Sequence, residues 1–230
     1  MPSLLKTLSF TSGFVLSIGS FAVICTCLGT QEWVTSSVHF KGANYSGYAY
    51  IRYGLFQARH EKKVTEGVGL DQQPANFQVF EKLTGNDAQK IIHILIILFL
   101  VSGLLFSFMG SVTTCLNIVS NPYLTYLGPI GVYIWTSING ICILLAMILF
   151  ASNTELNGMP KYLAEIIDNS DDKYFETRNT YGYSYWLLLL SLFLNIGTIG
   201  VIYYYQHARY SKQKEQERPL ENASKDVILF

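Results

Sequence analysis

Four long apolar runs constrain the fold of this chain more than any other feature. Each run holds about 20 residues, the number that a helix needs to cross a hydrocarbon layer about 30 Å thick. None of the runs contains Asp, Glu, Lys or Arg. Because a backbone inside lipid must satisfy its own hydrogen bonds, the runs predict four membrane-spanning helices. The predicted spans are Leu8–Leu28, Ile91–Val112, Ile130–Ala151 and Tyr185–Tyr205.

These spans divide the rest of the chain into two long loops, a short turn and two terminal segments, and they place both termini on one side of the membrane. The first run could alternatively be a cleaved signal peptide, but it is long for one and lacks the A-x-A cleavage pattern, so we predict that it is retained. The predicted segments are 1–7, a first loop at 29–90, a turn at 113–129, a second loop at 152–184 and a tail at 206–230.

The composition excludes several classes of protein. Only 14% of the 230 residues are charged, whereas a soluble domain carries about 25%. The formal net charge is zero, so nothing suggests a nucleic-acid partner, and the lipid bilayer is the expected environment. The four cysteines lie in or beside the apolar runs, which argues against a disulfide-linked loop. They are Cys25, Cys27, Cys115 and Cys142, of which Cys115 is a candidate for palmitoylation.

The charge distribution favours cytoplasmic termini. The tail carries five basic residues, and the second loop has six acidic residues against three basic ones. The first loop is also basic, but long loops are translocated largely regardless of charge. In that loop, Asn44-Tyr45-Ser46 forms a sequon, so Asn44 is a candidate N-glycosylation site if the loop is extracellular. The tail sequon at Asn222 should then stay unmodified.

Small residues recur at intervals of four on the first two spans, which places each series on one helix face. Helices in lipid associate through close backbone approach and polar contacts, so both series predict packing seams. We interpret them as contacts inside one bundle, and self-association into a homo-oligomer is the alternative. The series are Ser9, Gly13 and Ser17, and Gly103, Ser107 and Ser111. Asn139 and Asn195 lie near mid-membrane and are expected to hydrogen-bond between helices.

No pattern in the sequence indicates catalysis or transport. A nucleophile–base pair, a metal-ligand cluster and a phosphate-binding loop are all missing, and the spans carry no deeply placed ionisable group of the kind that a transport pathway needs. The four histidines are scattered, and His93 at the end of the second span is expected to be interfacial. We therefore predict a non-enzymatic protein without cofactor or metal.

The long loops contain elements of their own. Segments Trp33–Phe40 and Tyr48–Phe56 have strand character, and Met159–Ile167 in the second loop predicts a short helix. The predicted fold is an all-α transmembrane four-helix bundle that carries a small β-sheet from the first loop on its extracellular side.

Trp33 together with Gly54-Leu55-Phe56 resembles the W…GLW signature of the claudin superfamily. In claudins this segment helps to seat the extracellular sheet on the helices. Here Phe56 replaces the last tryptophan, and the two cysteines that follow in claudins are missing, which departs from the pattern of strand-forming claudins.

Further segments resemble the clarin family, a branch of claudin-like four-span proteins, and this resemblance covers essentially the whole chain. Three segments look most like one particular member: Ser120-Asn121-Pro122-Tyr123, Tyr181-Gly182-Tyr183-Ser184 and Ile228-Leu229-Phe230. The family resemblance is carried by Leu28-Gly29-Thr30, Tyr53-Gly54-Leu55-Phe56, Leu127-Gly128-Pro129, Met147-Ile148-Leu149-Phe150-Ala151 and Ser184-Tyr185-Trp186.

The resemblance implies a plasma-membrane glycoprotein without known catalysis. Better-studied clarins are linked to hair cells and photoreceptors, where they support actin-rich membrane structures and synapses. We therefore expect a protein that organises membrane and actin-linked complexes, with sensory cells as the setting that the family suggests. The alternative is claudin-like cell–cell adhesion through the first loop.

The chain ends in Val227-Ile228-Leu229-Phe230, which resembles a PDZ ligand of the hydrophobic class. Such a peptide binds as an added strand while a backbone nest holds its carboxylate. An apolar tail end that touches the membrane is the alternative. The expected partners are thus lateral membrane proteins and a cytoplasmic PDZ scaffold.

Overall fold

The computed structural model describes residues 4–83, 88–119, 127–168 and 172–227. Within these residues, four helices are long and apolar enough to cross a membrane, which confirms the predicted four-span architecture. They are α1 (Leu4–Gly29), α3 (Ala88–Val119), α4 (Pro129–Glu155) and α6 (Tyr183–Val227), with the apolar part of α6 at Tyr183–Ser211.

The helices extend beyond the apolar runs, and α3 shows why. Polar side chains in its last turns bond to the helix's own carbonyls: Thr113 Oγ1 donates to Met109 O (2.7 Å), and Asn117 Nδ2 donates to Thr113 O (2.8 Å). Asn117 also donates to Leu127 O at 2.6 Å, just before α4. The apolar run therefore marks only the stretch that must lie in lipid, while the helix continues to Val119.

The loops between the spans build a five-stranded antiparallel sheet in the order β4-β3-β2-β1-β5. A small sheet on the bundle was predicted and is confirmed, but its fifth strand comes from the second long loop, which was expected to contribute only a helix. The strands are β1 (Val34–Lys41), β2 (Tyr45–Tyr53), β3 (Gln57–Gly67), β4 (Gln72–Gln78) and β5 (Lys173–Tyr181).

Two short helices accompany the sheet. One is α2 (Val79–Lys82), and the other is α5 (Met159–Asp168), which agrees with the predicted helix at Met159–Ile167. Met159, Leu163 and Ala164 of α5 are fully buried in the same apolar core as the inward face of the sheet. That face follows the period-two pattern expected of a half-buried strand, as in Val34, Ser36, Val38 and Phe40 of β1.

Inside the bundle, α1 packs against α3 and α6, and α4 packs against α3 and α6. A small polar layer joins three of these helices. Asn139 Nδ2 of α4 donates to Asn195 Oδ1 of α6 at 3.2 Å, and Ser20 and Ser191 share a hydroxyl hydrogen bond at 2.6 Å. Both asparagines thus make the interhelical contact that their mid-span positions predict.

Candidate functional site at the junction of sheet and helices

Trp33 lies where α1 gives way to the sheet. Its side chain is completely buried, and Nε1–H donates a hydrogen bond to Cys27 O in the last turn of α1 (2.8 Å). An indole N–H that is buried usually needs such a partner. The hydrogen bond therefore fixes the direction in which the chain leaves the first helix and enters β1.

Phe150 of α4 lies at the centre of a ring cluster that we call the junction cluster: Trp33, Tyr53, Phe150 and Tyr185. Its ring centroid is 4.8 Å from that of Trp33, 5.9 Å from Tyr53 and 6.0 Å from Tyr185. Trp33 and Tyr53 come from the first loop, and Phe150 and Tyr185 come from the spans α4 and α6. Four segments that carry the family resemblance, distant in sequence, thus meet at one place.

The junction cluster also holds a side-chain hydrogen bond between sheet and bundle. The hydroxyl of Tyr53, at the end of β2, lies 2.9 Å from Thr154 Oγ1 near the end of α4. Burial raises the pKa of Tyr53, so the phenol stays protonated and neutral. The contact ties the sheet to the third span.

Gly54 permits a close backbone crossing. A Cβ at this position would lie 2.5 Å from Thr30 O and 2.8 Å from Gln31 Cα, both backbone atoms. Gly182, which leads into α6, meets the backbone of Glu32 in the same way and donates its N–H to Trp33 O at 2.8 Å. Only glycine fits where two backbones approach this closely.

Leu55 is fully buried, and its carbonyl oxygen lies 2.7 Å from Nε2 of His93. Since a carbonyl can only accept, Nε2 must carry the hydrogen. The His93 side chain is buried inside the protein, and its Nδ1 has no hydrogen-bond partner among the described residues. Phe56 differs from its two neighbours because it is 42% exposed and faces Phe80 at 6.4 Å.

The small-residue series on α1 faces its neighbours inside the bundle. Ser9 and Ser17 are buried, and a Cβ on Gly13 would lie 3.4 Å from both Thr114 of α3 and Ile202 of α6. The Ser17 carbonyl accepts a hydrogen bond from Ser107 Oγ at 3.4 Å. The series therefore lies where α1 meets two other spans.

The series on α3 divides its contacts between two helices. A Cβ on Gly103 would lie 3.2 Å from Asn139 Oδ1 and 3.5 Å from Cys142 Cβ of α4. Ser107 bonds to α1, and Ser111 Oγ donates to Ser107 O at 3.0 Å within the helix itself. All three positions are occupied by contacts within one molecule.

A buried ionic cluster connects the two long loops. The ammonium of Lys62, on the inward face of β3, pairs with Asp168 of α5 and lies 2.7 Å from Asp172 Oδ2, just before β5. The two carboxylates also accept hydrogen bonds from tyrosines, from Tyr174 OH at 2.6 Å and from Tyr45 OH at 3.0 Å. We call these five residues the loop-linking cluster, and it fastens the second loop to the first.

The electrostatics of the loop-linking cluster favour its charged state. Burial alone lowers the pKa of Lys62, but hydrogen bonds and charge from Asp168 and Asp172 outweigh it, so the pKa is raised overall. The hydrogen bond to Asp172 raises the pKa of Tyr45. Nearby, burial lowers the pKa of His60, which has a buried Nε2 without a partner among the described residues.

The remaining candidate residues lie apart from the junction. Asn44 is exposed in the turn between β1 and β2, and Cys115 is exposed on α3. Val227 is the last residue of α6, whereas Ile228–Phe230 and the segment Ser120–Tyr123 lie outside the described residues. No pattern in the sequence indicated the loop-linking cluster, because Lys62 is more than 100 positions away from Asp168 and Asp172.

A family model described as Clarin-2-like matches residues 5–197. Mouse Clarin-3 is 44% identical and human Clarin-3 is 42% identical, each over the whole of both chains. Mouse Clarin-1 is 28% identical over 99% of this chain and all of its own length. The greater similarity to Clarin-3 agrees with the three segments that resemble one member of the family. Several segments that carry the family resemblance assemble the junction of sheet and helices, and the chain belongs to the clarin family.

Proposed function

We propose that this clarin is a non-enzymatic organiser of membrane complexes at the plasma membrane, with its sheet outside the cell and both termini in the cytoplasm. The basic tail and the acidic second loop support this orientation. Asn44 lies exposed in the turn between β1 and β2, where an oligosaccharide chain could be attached without disturbing the core.

One observation carries the proposal: α6 extends as one helix from Tyr183, beside the junction cluster, to Val227, although Pro219 removes one backbone hydrogen bond within it. Its 45 residues give a length of about 67 Å, roughly twice the hydrocarbon thickness. A single helix therefore begins at the sheet, crosses the membrane and projects from the other side. A partner bound near the sheet and a partner bound at the tail would be held by one continuous element.

The tail supplies the expected cytoplasmic contact. The segment Val227-Ile228-Leu229-Phe230 resembles a PDZ ligand of the hydrophobic class, which a PDZ domain would bind as an added strand. Lateral membrane proteins would occupy the lipid-facing surfaces of the spans. Linkage to the actin cytoskeleton through a scaffold, and a setting in sensory cells, follow from the better-studied members of the family.

Proximity labelling in polarised cells tests the organiser role. The intact chain is compared with a chain that lacks 227–230 and with a Phe230→Leu chain, which keeps an apolar carboxyl-terminal residue. We expect cytoskeletal scaffold proteins to disappear on truncation and to remain with Phe230→Leu. An unchanged set of labelled proteins after truncation would contradict the role of the tail.

A second candidate function is adhesion between cells, and the tip of the β3–β4 hairpin favours it. Val68 and Leu70 are 93% and 91% exposed there, an unusual placement for two neighbouring apolar side chains. Mixed cultures separate the two functions. An adhesive protein accumulates at contacts only when both cells express it, whereas a lateral organiser has no such requirement.

A further inference from the structure

The outward face of the sheet carries a continuous line of aromatic rings. Phe175 of β5, His39 of β1 and Tyr48 of β2 follow one another with ring centroids 6.2 and 5.2 Å apart. Tyr50 continues the line 6.5 Å beyond Tyr48, and Lys63 Nζ of β3 lies 5.8 Å from its ring. The rings remain accessible, since Phe175, Tyr48 and Tyr50 are 51%, 41% and 39% exposed.

Two shallow cavities lie along this line. The larger, about 750 Å³, is lined by these rings together with Ser37, Glu176 and Arg178. The smaller, about 320 Å³, adjoins it at Tyr50 and is lined by Arg52, Arg59 and Lys63. Together they have the size of a site for a small ligand or a short oligomer.

The positive charges around the smaller cavity destabilise the sheet. Arg52 and Arg59 are directly opposite each other in the β2–β3 pairing, and like charges at opposite positions destabilise a sheet. Arg52 is partly compensated by Glu32 at 2.9 Å, and Lys63 by Glu61 at 2.9 Å. Neither Arg59 nor Arg178 forms an ion pair with any residue in the described part of the chain. A bound anion would relieve the repulsion between Arg52 and Arg59.

The ligand must be recognised by side chains. The backbone groups of β1, β2 and β3 are used by neighbouring strands on both sides, so a peptide cannot add to this face as a strand. What the face offers is a row of rings, several hydroxyls and unpaired guanidinium groups. The apolar C–H faces of sugar rings stack on aromatic side chains, and carboxylate or sulfate groups form paired hydrogen bonds with arginine.

We propose that this face binds an acidic glycan, with a sugar ring on Tyr48 and Tyr50 and an anionic group between Arg52 and Arg59. The anionic group is a sulfate or a carboxylate, either of which can present two oxygens to the N–H groups of a guanidinium. This face is separate from the tail and from the lipid-facing surfaces that the proposed function uses. Glycan binding here therefore does not depend on that function.

The test uses the full chain in phosphatidylcholine nanodiscs and biolayer interferometry with two immobilised probes, a heparin-derived octasaccharide and 3′-sialyllactose. Saturable binding of either probe supports the proposal, and the preferred probe tells sulfate from carboxylate. We expect Arg52→Gln/Arg59→Gln to weaken binding by about tenfold or more, since two charge-assisted contacts are lost. Tyr50→Ala should weaken binding at unchanged net charge.

The control is Lys161→Gln/Lys214→Gln, which removes the same charge away from this face and should bind as the unmodified chain does. Thermal unfolding of each variant verifies that the sheet is intact. Failure to bind either probe, or equal binding by the Arg52/Arg59 double variant, would overturn the proposal. Equally tight binding of poly-glutamate would also overturn it, because recognition would then depend on charge alone.

Discussion

His93 Nε2 lies 2.7 Å from the carbonyl oxygen of Leu55, so a side chain of the second span holds the backbone that joins β2 to β3. Both groups are fully buried. The hydrogen bond is one of the few polar contacts that run directly from a membrane span to the sheet, and removing its donor leaves a buried carbonyl without a partner.

Replacement of His93 by leucine should therefore destabilise the folded protein. An unsatisfied buried carbonyl costs about 1–3 kcal/mol. The free energy of unfolding, measured in detergent with increasing denaturant, should fall by about that amount. His93→Gln keeps an amide donor and should lose less. Equal stability of His93→Leu and the unmodified chain would show that the hydrogen bond contributes nothing.

Gly54→Ala should prevent normal folding of the junction. The new methyl group would lie 2.5 Å from Thr30 O and 2.8 Å from Gln31 Cα, and neither backbone atom can move without displacing the end of α1. The matched control is Gly29→Ala, where a Cβ would have no neighbour within 4 Å. The yield of monodisperse protein after detergent extraction should fall sharply for Gly54→Ala and remain unchanged for Gly29→Ala. Equal yields would contradict the close crossing.

Lys62→Met should lower the free energy of unfolding far more than Lys63→Met does. Removing Lys62 leaves the carboxylates of Asp168 and Asp172 buried without their cation, and breaking a buried ion pair on one side costs about 3–5 kcal/mol. Lys63 pairs with Glu61 at the surface, where ion pairs contribute little. Chemical denaturation measures the free energy of unfolding of both variants. Similar decreases for Lys62→Met and Lys63→Met would show that the loop-linking cluster does not fasten the loops.

Mild acidification should weaken the sheet through His60. Burial lowers the pKa of His60 below its value in the unfolded chain, so below about pH 6.5 the unfolded state binds a proton that the folded state excludes. Stability should therefore decrease as the pH falls from 7.5 toward 5.5. In thermal unfolding, the loss of stability between pH 7.5 and pH 5.5 should be smaller for His60→Phe than for the unmodified chain. His39→Phe, on the opposite face of the sheet, should lose as much stability as the unmodified chain. An undiminished pH dependence in His60→Phe would rule out this residue as the source.

Sequence reasoning succeeded where a single physical demand acts on contiguous residues. Lipid requires long uncharged runs, so the four spans were predictable, and Pro160 near the start of Met159–Ile167 helped to predict α5. Trp33, Gly54 and Leu55 were also singled out, and all three lie at the junction. Phe56 was grouped with them, yet it lies on the surface against Phe80.

The remaining features of the fold and of the site depend on contacts between residues that are distant in sequence, which no local pattern indicates. In β3 the inward positions include His60 and Lys62, so the strand lacks the alternation of apolar and polar residues that would have revealed it. Lys62 can be buried there because Asp168 and Asp172 of the other loop neutralise its charge. The hydrogen bond of His93 could not be predicted, because its partner, Leu55 O, is a backbone atom 38 residues away.

The central claim is that sheet and spans form one structural unit through the junction cluster. Hydrogen–deuterium exchange of the unmodified chain and of Trp33→Phe, both in nanodiscs, tests it directly. Phenylalanine lacks the N–H that bonds to Cys27 O, so we predict faster exchange both in β1 and β2 and in the first turns of α6 around Tyr185. Faster exchange confined to the residues next to position 33, with α6 unchanged, would contradict the account.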